Sequence, residues 1–176
     1  MPNHKLKNRI EYVSFRIALA GLKLLPPEAA KAVLKGLFWF GGWVIGIRKN
    51  VALQQLSKIF PDKNSKEKAA IIKKLYRNMA LSIYECYLMD DETLYKNIRI
   101  EGREFIEEAL SLKRGAIFAT AHYGNWEAAR ILPKAGIPIS GIAKPQRNVL
   151  FDKYTNTIRE RCGMRIINMK RGLRDI

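Results

Sequence analysis

The chain of 176 residues contains only two cysteines and two histidines. Cys86 and Cys162 lie far apart, and neither belongs to a CxxC or Cys/His cluster, so the sequence favours neither a zinc site nor a disulfide scaffold. It also has no phosphate-binding loop and no dinucleotide fingerprint. We therefore predict no bound metal and no cofactor, and we expect both thiols to be inert.

Acidic residues are scarce. The 16 Asp and Glu residues stand against 32 Lys and Arg, which gives a formal net charge of +16 at pH 7. Such a surface attracts anions, whether lipid headgroups, phosphorylated glycolipids, acidic carrier proteins or nucleic acid. The aromatic residues of the N-terminal third stand in apolar sequence and do not alternate with basic residues as base-stacking platforms do. We therefore predict no nucleic-acid partner.

A long apolar run is also missing. The most apolar stretch is residues 37–47, and it is much shorter than the roughly 20 residues that a membrane-spanning helix needs. Extending it towards the N-terminus adds Lys31 and Lys35, so a spanning helix remains a less favoured alternative. We predict that residues 1–47 are an apolar helical segment that associates with the membrane surface. The other alternative is an amphipathic helix packed on the protein's own core.

Residues 48–176 alternate between helical and strand patterns, which predicts an α/β fold around a parallel or mixed sheet. Asn50 and Ser65 are predicted to cap helices that run to Phe60 and about Met89, and a short helix is predicted from Asp90. Further helices are predicted at residues 102–113, 126–132 and 149–162, and strands at residues 98–101, 115–121, 137–143 and 164–167.

His122 and Glu127 stand where an apolar strand is expected to turn into a helix with Asn125 as its N-cap. Ligands of open α/β sheets bind at that end of the strands. The carboxylate in the first helical turn can reach back to the imidazole, which can then take a proton from a hydroxyl group. No Ser or Cys nucleophile is evident, so the attacking oxygen would belong to the substrate. The spacing alone is also compatible with a purely structural histidine.

Several short sequence motifs along the chain resemble those of a known protein family. They are residues 10–12 (IEY), 48–50 (RKN), 60–61 (FP), Glu85 after a helical NMAL, 101–104 (EGRE), 121–127 (AHYGNWE), 141–145 (GIAKP), 148–152 (NVLFD) and 159–163 (RERCG). In this order they resemble the lipid A biosynthesis (lauroyl/myristoyl) acyltransferases, within the His-x4-Asp/Glu lysophospholipid and glycerolipid acyltransferases. The likeness covers essentially the whole chain. Members of that family are longer, so we expect this chain to be an N-terminal part.

The resemblance implies an O-acyltransferase that moves a fatty acyl chain from an acidic acyl carrier protein to a hydroxyl of a phosphorylated lipid A precursor. His122 would be the general base and Glu127 the partner that orients it. Asn125 would either line the site or cap the helix. Three basic residues, Lys144, Arg159 and Arg161, would be candidates for binding phosphate groups. The implied location is the cytoplasmic face of the inner membrane.

Two alternatives remain. The acceptor could be another glycolipid or a lysophospholipid, although Ala121 stands where the glycerolipid branch tends to carry Asn before the histidine. A different class of protein would be a basic membrane-surface binding module with no catalytic role for His122. Charge reversal would abolish the function of such a module, whereas His122→Ala would not.

Overall fold

A computed structural model describes residues 3–169, with side chains from residue 5 onward. Seven α-helices and two strands are described, together with a π-helical segment and a 3-10 helix. The helices are α1 (Asn3–Lys23), α2 (Pro27–Trp39), the π-helical segment (Phe40–Val44), α3 (Lys49–Ile59), α4 (Ser65–Tyr87), α5 (Asp91–Lys96), α6 (Arg103–Ser111), the 3-10 helix (Trp126–Ala135) and α7 (Val149–Glu160). The strands are β1 (Ser140–Ala143) and β2 (Arg165–Asn168).

The chain forms two compact units. The smaller consists of Leu19–Leu88, and in the larger the structure describes residues 3–18 and 89–169. The two units are separated according to which residues pack together. The predicted division after residue 47 rests instead on the apolar composition of the N-terminal segment. The proposed membrane role of residues 1–47 therefore stays a prediction.

In the smaller unit, α2 packs along α4. Gly42 is buried against the ring of Tyr76, whose hydroxyl donates a hydrogen bond to the carbonyl oxygen of Ile47 at 2.6 Å. Helix α4 begins with a capping box between Asn64 and Glu67, in which the carboxylate accepts from the Asn64 backbone N–H at 2.8 Å. Asn64 is thus the N-cap, and the prediction of Ser65 was wrong by one residue.

The larger unit contains a parallel pair of strands. Ser140 lies opposite Arg165, and Ala143 lies opposite Asn168, with α7 connecting the two strands. This arrangement agrees with the predicted α/β class, although helix dominates and the described sheet has only two strands. The larger unit also contains a small core formed by Leu94, Ile131 and Cys162.

Two predicted strands were wrong. Residues 98–101 and 115–121 form no regular secondary structure. Apolar composition favours extended backbone, but a strand also needs a hydrogen-bonded neighbour, and among the described residues β1 and β2 pair only with each other. The side chain of Ile117, expected to be buried, is fully exposed.

Two predicted helices also need correction. Helix α3 begins at Lys49, after Arg48 in a left-handed conformation with φ of 56°, so Asn50 lies inside it and is not its cap. The helix predicted at 126–132 is a 3-10 helix, and it continues through Pro133 to Ala135. Asn125 precedes it, but its side chain makes no capping hydrogen bond.

No single helix within residues 3–169 is both long and apolar enough to cross a bilayer. By length and composition alone, Pro27–Val44 and Lys49–Ile59 pass that test together as a pair bent by 79°.

Candidate active site

His122 lies on an exposed loop that leads into the 3-10 helix. Its imidazole stands beside the indole of Trp126, with 5.1 Å between the ring centroids and an angle of 45° between the rings. Trp126 is itself about half exposed at 52%. The imidazole therefore faces solvent, as a group that receives a substrate must.

Glu127, in the first turn of the 3-10 helix, is held by Arg159 near the end of α7. The guanidinium donates from Nε to Oε2 at 2.9 Å and from Nη2 to Oε1 at 2.5 Å. Only 12% of the Glu127 side chain and 18% of the Arg159 side chain are exposed. A bidentate pair of this kind fixes both the position and the orientation of the carboxylate.

Arg159 is held in turn by polar residues of α7. Its Nη1 donates to Oδ1 of Asn156 at 3.0 Å, and Asn156 Nδ2 lies 3.5 Å from Oδ2 of Asp152. Asp152 also accepts a hydrogen bond from the backbone N–H of Gln146 at 2.9 Å. The carboxylate of Glu127 is thus linked through α7 to the loop that follows β1.

The direct contact expected between His122 and Glu127 is not made. Within residues 3–169, no hydrogen bond joins the two side chains, and Arg159 binds both oxygens of the carboxylate. The roles of His122 and Glu127 therefore remain predictions.

The other predicted site residues are spread out. Lys144 is exposed immediately after β1, and Asn125 is partly exposed between His122 and Glu127. Arg161 forms an ion pair with Asp91, in which its Nε donates to Oδ2 at 2.6 Å. Half of its side chain, 52%, is still exposed to solvent.

Arg130, which the sequence analysis did not single out, is completely buried in the 3-10 helix. Its Nε and Nη2 lie 3.3 Å from Oδ1 of Asp91, and its Nη1 donates to the backbone carbonyl of Glu127 at 3.3 Å. The sequence does contain an indication that this side chain is buried, because Arg130 is the single charged residue among the small and apolar residues 128–132.

The Asp91 carboxylate lies between two guanidinium groups. Burial by itself raises its pKa, but the hydrogen bond and charge of Arg161, together with the charge of Arg130, hold the pKa below its ordinary 3.8. The neighbouring thiol shifts in the opposite direction, because burial and then the Asp91 charge raise the pKa of Cys162. A raised pKa disfavours the reactive thiolate, which supports an inert Cys162.

A shallow recess of about 180 Å³ lies at the carboxyl ends of β1 and β2, where Ala143 and Asn168 stand. Asp152, Asn156 and Glu160, spaced four residues apart on α7, line one side of it. Its polar lining continues into the hydrogen-bonded chain that holds Arg159.

The model of the bacterial lipid A biosynthesis acyltransferase family matches residues 4–176. The chain belongs to this family. Its resemblance to lipid A acyltransferases, noted from the sequence, is thereby confirmed.

Individual relatives carry similar names. The chain is 28% identical over 156 residues to the lipid A biosynthesis myristoyltransferase of Escherichia coli (strain K12), covering 85% of this chain and 47% of that protein. It is 26% identical over 165 residues to lipid A biosynthesis acyltransferase 2 of Shigella flexneri, covering 89% of this chain and 51% of that protein. The chain thus spans about half the length of these curated relatives. No solved structure matches it.

In this lipid A acyltransferase family member, the candidate site lies entirely inside the matched range. His122, Glu127 and Arg159 are drawn from a loop, a 3-10 helix and an α-helix of the larger unit. Membership of this family indicates acyl transfer as the type of reaction that these residues would serve.

Proposed function

We propose that the chain provides the catalytic base of an enzyme that transfers a fatty acyl group from acyl carrier protein to a hydroxyl of a lipid A precursor. Membership of the lipid A biosynthesis acyltransferase family supports the reaction class. The observation that carries the proposal is an exposed imidazole, that of His122, five residues before a carboxylate that Arg159 fixes. Removal of a hydroxyl proton requires an accessible base, and a preorganised carboxylate can orient an imidazole for this role.

In the proposed reaction, His122 accepts the proton of the acceptor hydroxyl while that oxygen attacks the carbonyl carbon of the thioester. A carbon–oxygen bond forms, and negative charge moves to the carbonyl oxygen, for which the backbone N–H groups after His122 are candidate donors. The intermediate then breaks its carbon–sulfur bond, and the departing thiolate takes the proton from the imidazolium. No acyl group is attached to the enzyme at any step.

Glu127 can assist while it stays bound to Arg159. Each carboxylate oxygen has two acceptor positions, and the described contacts with Arg159 use one on each oxygen. We infer that binding of substrate moves the exposed His122 loop so that the imidazole N–H reaches Glu127. Arg159 then acts by positioning this carboxylate, a role that competes with the phosphate binding predicted from its position in the sequence.

The charge of the chain suits both proposed substrates. A formal charge of +16 attracts an acidic carrier protein and a phosphorylated glycolipid alike. Lys144 is the best placed of the predicted phosphate ligands, because it is exposed at the end of the strand where the polar recess opens.

A membrane surface is the proposed location of the reaction, on the cytoplasmic face of the inner membrane. Four apolar side chains at helical spacing on α2 and the π-helical segment are 43–59% exposed, namely Val33, Leu37, Phe40 and Val44. An exposed apolar stripe on a basic protein fits the interfacial region of an anionic bilayer. Leu37→Glu in the full-length gene product is expected to weaken its binding to anionic vesicles.

The proposed reaction is tested with membranes that contain the full-length gene product, acyl carrier protein bearing a radiolabelled acyl chain, and a lipid A precursor. We expect labelled lipid from the wild type and a loss on the order of 10²-fold or more in Glu127→Gln. Transfer to a lysophospholipid but not to the lipid A precursor would show that the acceptor is a lysophospholipid. No transfer to either lipid, with anionic vesicle binding intact, would favour the binding module.

A further inference from the structure

The charged guanidinium group of Arg130 lies in the protein interior, where charges are rarely tolerated. Its side chain is 0% exposed, and it is the largest side chain that the structure buries completely. A guanidinium group without water needs both an opposite charge and acceptors for its N–H groups. The residues that meet these needs must be held in defined positions, because a buried ion pair tolerates little displacement.

Its described partners belong to two elements. Asp91, at the start of α5, accepts from Nε and Nη2, while the backbone carbonyl of Glu127 accepts from Nη1. Arg161 binds the other oxygen of Asp91 and so ties the end of α7 to the same carboxylate. Glu127 is therefore held twice, with its side chain bound by Arg159 and its backbone bound by Arg130.

The type of helix makes these anchors important. Glu127 lies in a ten-residue 3-10 helix that includes Pro133. The hydrogen bonds of 3-10 helices have poorer geometry than those of α-helices, and such helices are rarely longer than three or four residues. The position of this helix thus depends on tertiary contacts, of which the buried pair between Arg130 and Asp91 is the most enclosed in the described structure.

We propose that Asp91 is a positioning residue for Glu127, acting through Arg130, which it keeps in place against the Glu127 backbone. The inference rests on the proposed role of Glu127 in acyl transfer. Without the Asp91 charge, Arg130 is driven to turn towards water and to give up the Glu127 carbonyl. Displacement of a reacting group by about 1 Å is enough to cost on the order of 10²-fold in rate.

The chain offers a closely matched control. Glu92 lies next to Asp91 in the first turn of α5, and its carboxylate faces Lys134 of the same 3-10 helix at 3.5 Å. This second pair joins the same two elements, but it is exposed, and neither of its residues forms a hydrogen bond or ion pair with Glu127 in the described structure. Asp91→Asn and Glu92→Gln each remove one carboxylate from the same helical turn and one ion pair to the same helix.

The test measures kcat and KM for acyl transfer in both variants of the full-length gene product. We expect kcat to fall about 10- to 100-fold in Asp91→Asn with KM for the acyl donor almost unchanged, and to stay within about twofold in Glu92→Gln. Equal kcat values in the two folded variants would overturn the proposal.

A double variant separates positioning from stability. Asp91→Asn combined with Arg130→Met removes both buried charges, and an apolar side chain of similar length is often tolerated in place of a buried ion pair. We expect thermal stability to recover while kcat stays low, because methionine cannot donate to the Glu127 carbonyl. Recovery of kcat together with stability would show that Asp91 serves only the fold.

Hydrogen exchange gives a result that does not depend on activity. Backbone amides of residues 126–130 should exchange faster in Asp91→Asn than in Glu92→Gln, by about tenfold or more if the segment loses its anchor. Unchanged exchange would refute the inference even in an active enzyme. If the wild type transfers no acyl group, faster exchange would still support the anchoring by Asp91, and only the proposed reaction would fail.

Discussion

The substitution Gly42→Ala tests the packing of the smaller unit. Gly42 is buried in the π-helical segment, and a Cβ atom at this position would overlap three atoms of the Tyr76 ring. The ring has little freedom to move, because Tyr76 is only 8% exposed and its hydroxyl is bonded to Ile47 at 2.6 Å. Either the helices separate or the ring shifts and breaks this hydrogen bond.

The expected loss in the free energy of unfolding follows from these two outcomes. Forcing an extra methyl group into a packed core costs about 1–3 kcal/mol, and a lost hydrogen bond adds about 1 kcal/mol. Replacing a helical glycine with alanine returns about 0.5–1 kcal/mol through lower backbone entropy in the unfolded chain. We therefore expect Gly42→Ala to lower the free energy of unfolding by about 1–3 kcal/mol.

Gly36→Ala in α2 is the matched control. A Cβ atom at position 36 meets no atom within 4 Å, so only the entropy gain remains, and the variant should be more stable by about 0.5–1 kcal/mol. Urea unfolding followed by circular dichroism measures both changes. If Gly42→Ala proves as stable as Gly36→Ala, Tyr76 does not occupy the space beside Gly42, and the described packing of the π-helical segment on α4 is wrong.

Three further outcomes are expected. Asn64→Ala removes the cap that pairs with Glu67, and should lower stability by about 1 kcal/mol in the same urea assay. Because the folded pKa of Asp91 lies below its ordinary 3.8, its contribution to stability is present above that pH and is lost as the pH falls through the folded pKa. The loss on acidification should be smaller in Asp91→Asn, and equal acid sensitivity would contradict the pairing with Arg161. Cys162 should react with iodoacetamide far more slowly in native than in denatured protein, as peptide mass analysis would show, because it is buried and its pKa is raised.

Local sequence signals predicted the helices well. The apolar periodicity of α4 and the acidic start of α5 located both helices to within a few residues. The cap of α4 was missed by one position, although the sequence contained the answer. A capping box needs Glu or Gln three residues after the cap, and Glu67 stands three residues after Asn64, whereas Lys68 follows Ser65 at that spacing.

The two strands that failed show where local signals end. Residues 115–121 are a short, mostly apolar run that begins with a turn-forming glycine, which is the usual pattern of a buried strand. Whether such a run pairs depends on a neighbouring strand that local sequence does not specify. The described sheet joins only β1 and β2, and the run that precedes His122 lies outside it.

The candidate site was predictable only in part. His122 and Glu127 could be selected from their spacing and their position after an apolar run. Their partners could not, since Arg159 binds Glu127 across 32 residues and Arg130 binds Asp91 across 39. Such pairs depend on how helices pack, and a chain with 32 basic residues offers many equally plausible partners for each carboxylate.

The role of His122 as the catalytic base is tested most directly by comparing the two histidines of the chain. His122→Ala and His4→Ala are made in the full-length gene product, and the rate of acyl transfer from acyl carrier protein to a lipid A precursor is measured at equal amounts of folded protein. We expect a loss of about 10²- to 10⁴-fold for His122→Ala and an unchanged rate for His4→Ala. A His122→Ala enzyme that transfers acyl groups at the wild-type rate would show that another group removes the proton.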